Sequence, residues 1–249
     1  MTRARRSKRS AGAPPAWLVA LVLALLLAAG LWFGDRWLKA NPQHDPRAPL
    51  SMADPIGWAT ARKLAKLREE PAQCVAALRD AGIRVELLPP AGRGNCRNVD
   101  RLRLPDGPVY NLRLSPAPPA ARCVVNASLL LWLDRRVQAA AFRHFGKPVV
   151  RVENLGTENC RTIAGTGQVS QHATGAAIDI AGFVLAGGQR VSVLRDWNSA
   201  DPARRAFLRE ARDGACELFA TSLSPDYNRA HADHLHLDVA ARRGYRVCR

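Results

Sequence analysis

The stretch "HADHLHLDVA" (231–240) places three of the chain's six histidines, His231, His234 and His236, among the carboxylates Asp233 and Asp238. Imidazole ligates metals and carries protons near neutral pH, so the spacing matters. Read as a strand, the segment sends His234, His236 and Asp238 to one face and Leu235 and Leu237 to the other. The leucines then face a core and the histidines a cleft. A His-x-His pair on one strand face supplies too few ligands by itself, because a catalytic zinc site takes about three protein ligands and keeps one position open for water. The best source of the missing ligands is "SQHATGAAIDI" (170–180), where His172 and Asp179 flank Gly175. On one continuous strand those two would point apart. A turn at Thr174-Gly175 removes the conflict, with His172 supplied by a loop and Asp179 by the strand that follows.

The elements that must position these residues can be read from periodicity and breakers. "CVAALRDAGIRVELLP" reads as a short helix stopped at Gly82 and then a strand; "CRNVDRLRLPDGPVYNLRLSP" reads as strand, Pro-Asp-Gly turn, strand. "ARCVVNASLLLWLDRRVQAAAFRHFG" repeats apolar residues every three or four positions up to Gly146 and is the strongest amphipathic helix. "PVVRVENLG" is strand-like, and the nineteen residues "TENCRTIAGTGQVSQHATG" form a loop of a length that tends to be functional. A hairpin around Gly187 and Gly188 follows, then a helix from Asp201-Pro202 through "DPARRAFLREARDGACELFATSL", with Gly214 as a weak point. Strands and helices do not alternate regularly, so the expected class is α+β with a mainly antiparallel sheet.

The net charge of +16 raises nucleic acid as a partner, but aromatics make up only 6 % of the chain and no zinc-finger, helix-turn-helix or RNA-binding signature occurs. The reading is therefore no nucleic acid. Part of the charge sits in "TRARRSKRS" (2–10), five residues before "AWLVALVLALLLAAGLWF" (16–33), eighteen residues without a charge. Such a run is just long enough to cross a bilayer core, and the basic flank stays cytoplasmic. Its exit through "GLWFGDRW" suits an interfacial tryptophan belt and an uncleaved anchor better than a cleavable signal peptide. The expected layout is a basic cytoplasmic N-terminus (1–15), a transmembrane signal-anchor (16–34), a Pro-rich linker (35–57) that lifts the domain off the membrane, and the folded domain (58–249). Six cysteines, Cys74, Cys96, Cys123, Cys160, Cys216 and Cys248, are widely spaced with no CxxC pair, which points to disulfides in an oxidising compartment. Cys74 with Cys96 is the one pairing expected here; the others stay open.

Together, "VSQHATGAAIDI" and "HADHLHLD" resemble the two signature segments of the zinc peptidases of the D-Ala-D-Ala carboxypeptidase, murein endopeptidase and Hedgehog-fold group, Ser-x-His-x6-Asp and His-x-His. Over roughly residues 70 to 249 the chain is more narrowly similar to the extensin-like C-terminal domain family of bacterial exported proteins. The resemblance implies a Hedgehog-type or D-Ala-D-Ala-peptidase-like fold and zinc bound by His172, Asp179 and His236. It implies that His234 assists catalysis or supports the site, and it gives His231 a counterpart in the murein endopeptidase branch. Other branches carry a catalytic glutamate where this chain has Asp233, one methylene shorter. The general base is His234 by strand parity, or Asp233 if the segment is irregular there. Arg161 resembles the arginine that binds substrate or the developing oxyanion, and Ser170 would position the loop or contact substrate.

The implied function is a zinc-dependent peptidase acting on peptidoglycan stem peptides or cross-links, anchored by one pass in the bacterial inner membrane and facing the periplasm. The alternative is a non-catalytic wall-binding or structural envelope protein with the same fold.

Overall fold

The computed structural model describes residues 14–105, 111–163, 165–242 and 244–249. The basic residues before position 14 and the Asp106-Gly107 turn lie outside that range. The chain opens with α1 (Ala16–Ala40), a helix with no buried residue whose best eighteen-residue window has a mean hydropathy of 2.5. It is long and apolar enough to cross a membrane.

The stretch read as a linker is packed against the domain. Met52 is 3 % exposed within the hydrophobic core. Lys63 donates to the carbonyls of Pro42 (2.6 Å) and Pro49 (3.2 Å), and Arg135 reaches the Ala53 carbonyl at 2.9 Å. Trp37, His44 and Trp58 stack in series, with ring centres 5.3 and 5.7 Å apart.

Two short helices follow, α2 (Thr60–Leu67) and α3 (Pro71–Asp80); α3 ends at Gly82, whose φ of +73° suits glycine. A small antiparallel sheet joins β1 (Glu86–Leu87), β2 (Arg101–Arg103) and β4 (Ala121–Arg122), while β3 (Arg113–Ser115) belongs to a larger sheet. The two strands flanking the Pro-Asp-Gly turn therefore do not pair with each other. Local turn chemistry suggested a hairpin, and tertiary pairing, of β2 with β4 and of β3 with the later strand β5 (Val149–Gly156), overrides it.

Residues 123–145 form one helical rod: α4 (Cys123–Trp132), a π-helical turn (Leu133–Val137) and α5 (Gln138–Phe145). Every residue of α4 is buried, Asn126 and Ser128 included, so this half is a core helix, buried all round rather than amphipathic. Only α5 is one-sided, burying Ala140 and Ala141 and ending at Gly146 with φ +63°. Trp132 keeps its indole N–H satisfied at the Ala211 carbonyl, 2.8 Å away.

The larger sheet runs β10-β8-β9-β6-β5-β3, with β7 beside β6: β5 (Val149–Gly156), β6 (Ala177–Leu185), β7 (Arg190–Ser192), β8 (Thr221–Leu223), β9 (Leu235–Asp238) and β10 (Val247–Cys248). It is mixed: β3–β5 and β8–β10 are parallel and the remaining pairs antiparallel. The hairpin at Gly187-Gly188 is present, followed by α6 (Val193–Asp196) and α7 (Pro202–Cys216). Asp201 caps α7 by accepting from the amides of Ala203 and Arg204. The helix stops at Cys216, short of the extent its sequence pattern suggested, because Thr221–Leu223 pairs with β9 as β8. Gly214 lies near its C-terminal end, and a Cβ there would come within 2.7 Å of Arg136 Cβ, so the glycine permits close approach to the π-helical turn. Edge-to-face contacts of Trp132, Phe183, Phe207 and Phe145 join these helices to the sheet.

The class is α+β, as expected. Cys74 pairs with Cys123, Cys96 with Cys160 and Cys216 with Cys248. The expected Cys74–Cys96 bridge is absent because proximity along the chain does not decide pairing: Cys74 faces inward from α3 onto the start of α4, and Cys96 faces the loop that carries Cys160.

Candidate metal centre

Strand register builds the centre. Asp179 of β6 stands directly opposite His236 of β9, and cross-strand partners share a face. Their neighbours Ile178, Ile180, Leu235 and Leu237 are buried on the core side. The parity expected for His236 and the two leucines therefore holds, and a one-residue slip would separate the pair.

His172 arrives from a one-turn 3₁₀ helix (Gln171–Thr174) that Ser170 caps by accepting from the His172 amide at 3.3 Å. Ser170 is buried and thus shapes the loop. Gly175 ends the turn at φ +62°, and a Cβ there would stand 2.2 Å from Asn98 Nδ2. Both the backbone angle and the space require glycine.

The three side chains converge. His172 Nε2 lies 3.2 Å from Asp179 Oδ1 and 3.0 Å from His236 Nδ1, and His236 Nδ1 lies 2.9 Å from the same carboxylate oxygen. The outer ring nitrogens face groups that only accept when the carboxylate is ionised: His172 Nδ1 meets the Thr157 carbonyl at 3.2 Å and His236 Nε2 meets Asp238 Oδ2 at 3.4 Å. The neutral rings then carry their protons outward and turn two nitrogen lone pairs and an anionic oxygen toward one point. Three acceptors at such distances need a proton or a cation between them. Tetrahedral zinc, with bonds of about 2.0–2.1 Å, spaces its ligands about 3.3 Å apart, close to these separations. Two imidazoles, each backed by an acceptor, and a carboxylate are a donor set that suits zinc.

Without metal, a proton takes the place of the cation. Burial alone would lower His236, but hydrogen bonds to Asp179 and Asp238 outweigh it and raise its pKa to about 9. Burial would raise Asp179, and its bonds from His172 and His236 hold it well below the carboxylate range.

The other expected site residues surround this triangle. His234, just before β9, places Nε2 3.6 Å from Asp179 Oδ1, while its Nδ1 is 2.7 Å from Asp233 Oδ1. Asp233 thus engages the far nitrogen of His234. The His231 ring lies 5.2 Å from that of His234 and 5.8 Å from that of His236, with Nδ1 at Asn228 Oδ1 (2.7 Å). Burial, then the positive charges of His236 and His234, lowers His231 to about 4. Residues 229–231 form a 3₁₀ turn, so β9 is shorter than its sequence pattern, and only His236 and Asp238 of the polar set lie on it.

Arg161 is exposed in the loop before Ser170, whose amide donates to its carbonyl, and its charge also depresses His231. That loop is tied down by the Cys96–Cys160 bridge and by Glu158, which accepts from Asn98 at 2.9 Å and Arg101 at 2.8 Å. Sequence reasoning assigned no role to Asp238, although strand parity already put it beside His236. No linear signal marked the Thr157 carbonyl or the Glu158 tether.

The geometry defines an α+β domain with a two-histidine, one-aspartate cluster built on β6 and β9, adjacent inner strands of a mixed sheet, and on the turn before β6. Residues 72–249 match the family described as extensin-like protein C-terminus, and the chain belongs to that family. No curated protein and no solved structure matches the chain.

Proposed function

We propose that the protein is a zinc-dependent peptidase of peptidoglycan stem peptides or cross-links, held by α1 in the bacterial inner membrane with its domain in the periplasm. The reading includes kinship with the D-Ala-D-Ala carboxypeptidase and murein endopeptidase group. One observation carries it: three acceptor atoms of His172, Asp179 and His236 aimed at one point, with a third imidazole, that of His234, oriented beside them. Zinc, when bound there, supplies Lewis acidity toward a scissile carbonyl and acidifies water.

The chain's own residues supply the rest. Asp233 accepts from His234 Nδ1, which leaves Nε2 free to take a proton from the attacking water; that proton then passes to the leaving amine nitrogen as the C–N bond breaks. This makes His234 the base and Asp233 its orienting partner. Arg161, exposed and near enough to His231 for its charge to act there, suits the carboxylate of a stem peptide or the developing oxyanion. His231, neutral at pH 7, provides a hydrogen-bonding group without adding charge.

The test is turnover of isolated muropeptides by the zinc-loaded full chain beside a His236→Ala variant. Products from the wild type alone support the proposal and identify the bond cut. A wild-type chain that retains no zinc after reconstitution, or that holds zinc and leaves every muropeptide intact, overturns it.

A further inference from the structure

We infer that a second site, on the cavity bordered by α2 and the C-terminal segment, binds the phosphate of an anionic lipid headgroup. The cavity measures about 540 Å³ and is lined by Arg62, Arg68, Arg242 and Arg246, with Trp58 and Tyr245 beside them and no carboxylate among its described lining residues. Its floor is apolar, formed by Leu64, Val124, Leu218 and Phe219. A cationic rim over an apolar floor fits an amphiphile; a free anion would have no use for the floor.

The guanidinium groups keep donors to spare. Arg68 uses Nε on Glu69 Oε1 (2.8 Å) and Nη1 on the Val239 carbonyl (3.4 Å), Arg242 uses Nε on Thr221 Oγ1 (2.7 Å) and holds Nη2 3.8 Å from Asp238 Oδ2, Arg246 uses Nη1 on the Cys216 carbonyl (3.1 Å), and Arg62 has no hydrogen bond or ion pair among the described residues. Each guanidinium carries five N–H donors, so several remain for phosphate oxygens.

Position selects the lipid as the source. The apolar run of α1 ends at Phe33, and Trp37 lies four residues beyond it, about 6 Å along the axis, within a headgroup layer about 5–8 Å thick. From Trp37 the aromatic stack leads through His44 to Trp58, which is itself a cavity wall. Trp58 and Tyr245 are 63 % and 61 % exposed, as interfacial aromatics are. The inference rests on the reading of α1 as a retained anchor and is independent of the metal chemistry.

The test uses the full chain. Carbonate-resistant association with phosphatidylcholine vesicles first establishes the anchor; loss of association overturns the anchor reading and this inference with it. For the anchored chain, native mass spectrometry then follows titration with phosphatidylglycerol or phosphatidylcholine in detergent. Selective phosphatidylglycerol binding is expected, weakened about 25-fold in Arg62→Ala/Arg246→Ala, from about fivefold per arginine. If the double variant does not fold, Arg62→Glu alone must weaken binding. Equal binding of the two lipids, or unchanged binding by a folded variant, overturns the inference. So does inorganic phosphate that protects residues 240–246 from hydrogen exchange as fully as phosphatidylglycerol does, because the ligand is then a soluble anion.

Discussion

His236 shows how a single ring can be assigned by asking where its protons go. Its Nε2 proton faces Asp238, so Nδ1 is left for the centre. Asp238→Asn should weaken zinc binding about 10- to 100-fold, measured by competition with a chromogenic chelator. His234→Ala, by contrast, should leave zinc content intact and lower muropeptide turnover about 10²- to 10⁴-fold. The pH behaviour follows from the same protons. In the metal-free protein His236 is protonated at pH 7, with a pKa raised to about 9. Its stabilising contribution is complete below its unfolded value of about 6.5 and is lost as pH rises through about 9. The depressed Asp179 acts oppositely, contributing above about 3.9 and losing that contribution as pH falls. Zinc must displace the His236 proton, so its apparent affinity should rise about tenfold per pH unit between pH 7 and 9, with about one proton released per ion. Calorimetry in buffers of different ionisation enthalpy reads that proton directly. Motif spacing and strand parity brought His172 and Asp179 to the His-x-His pair, and the family resemblance singled out His236. The placement of His234 and Asp233 was not legible, because it depends on the 3₁₀ turn before β9, which periodicity does not reveal.

At the scale of elements, the centre depends on one turn and one register. Gly175→Ala would force φ +62° on a side-chain-bearing residue and drive a methyl into Asn98, which is held by Glu158. It should cost about 1–3 kcal/mol in denaturant unfolding and also weaken zinc binding, since the turn delivers His172. Asn98→Ala in the same background should recover part of the loss by removing the steric half of the penalty. The turn at Gly175 could be read from the sequence because Thr-Gly between a loop and a β-branched run leaves few alternatives. The buried character of α4 could not, since spacing of three and four describes a helix but does not count the neighbours around it. The separation of β2 from β3 and the helix-to-strand switch at Thr221 have the same origin: partners distant in sequence decided them.

For the whole molecule, composition pointed to the apolar helix, the disulfide-bearing domain and the α+β class, but it misjudged the collar between helix and domain. Prolines and small polar residues looked like slack, whereas one buried methionine and several backbone carbonyls fasten the segment down. Met52→Ala should therefore destabilise the domain by about 2–5 kcal/mol, measured by thermal or denaturant unfolding, whereas a free tether would register no change. A slack tether of seventeen residues (41–57) would let its ends drift about 21–25 Å apart and allow the cleft to search a volume. Fastened, the collar is a mount. In a membrane the domain would patrol a plane, and under the proposed function its choice of bonds would be set as much by the height at which a wall strand lies as by the chemistry of the peptide.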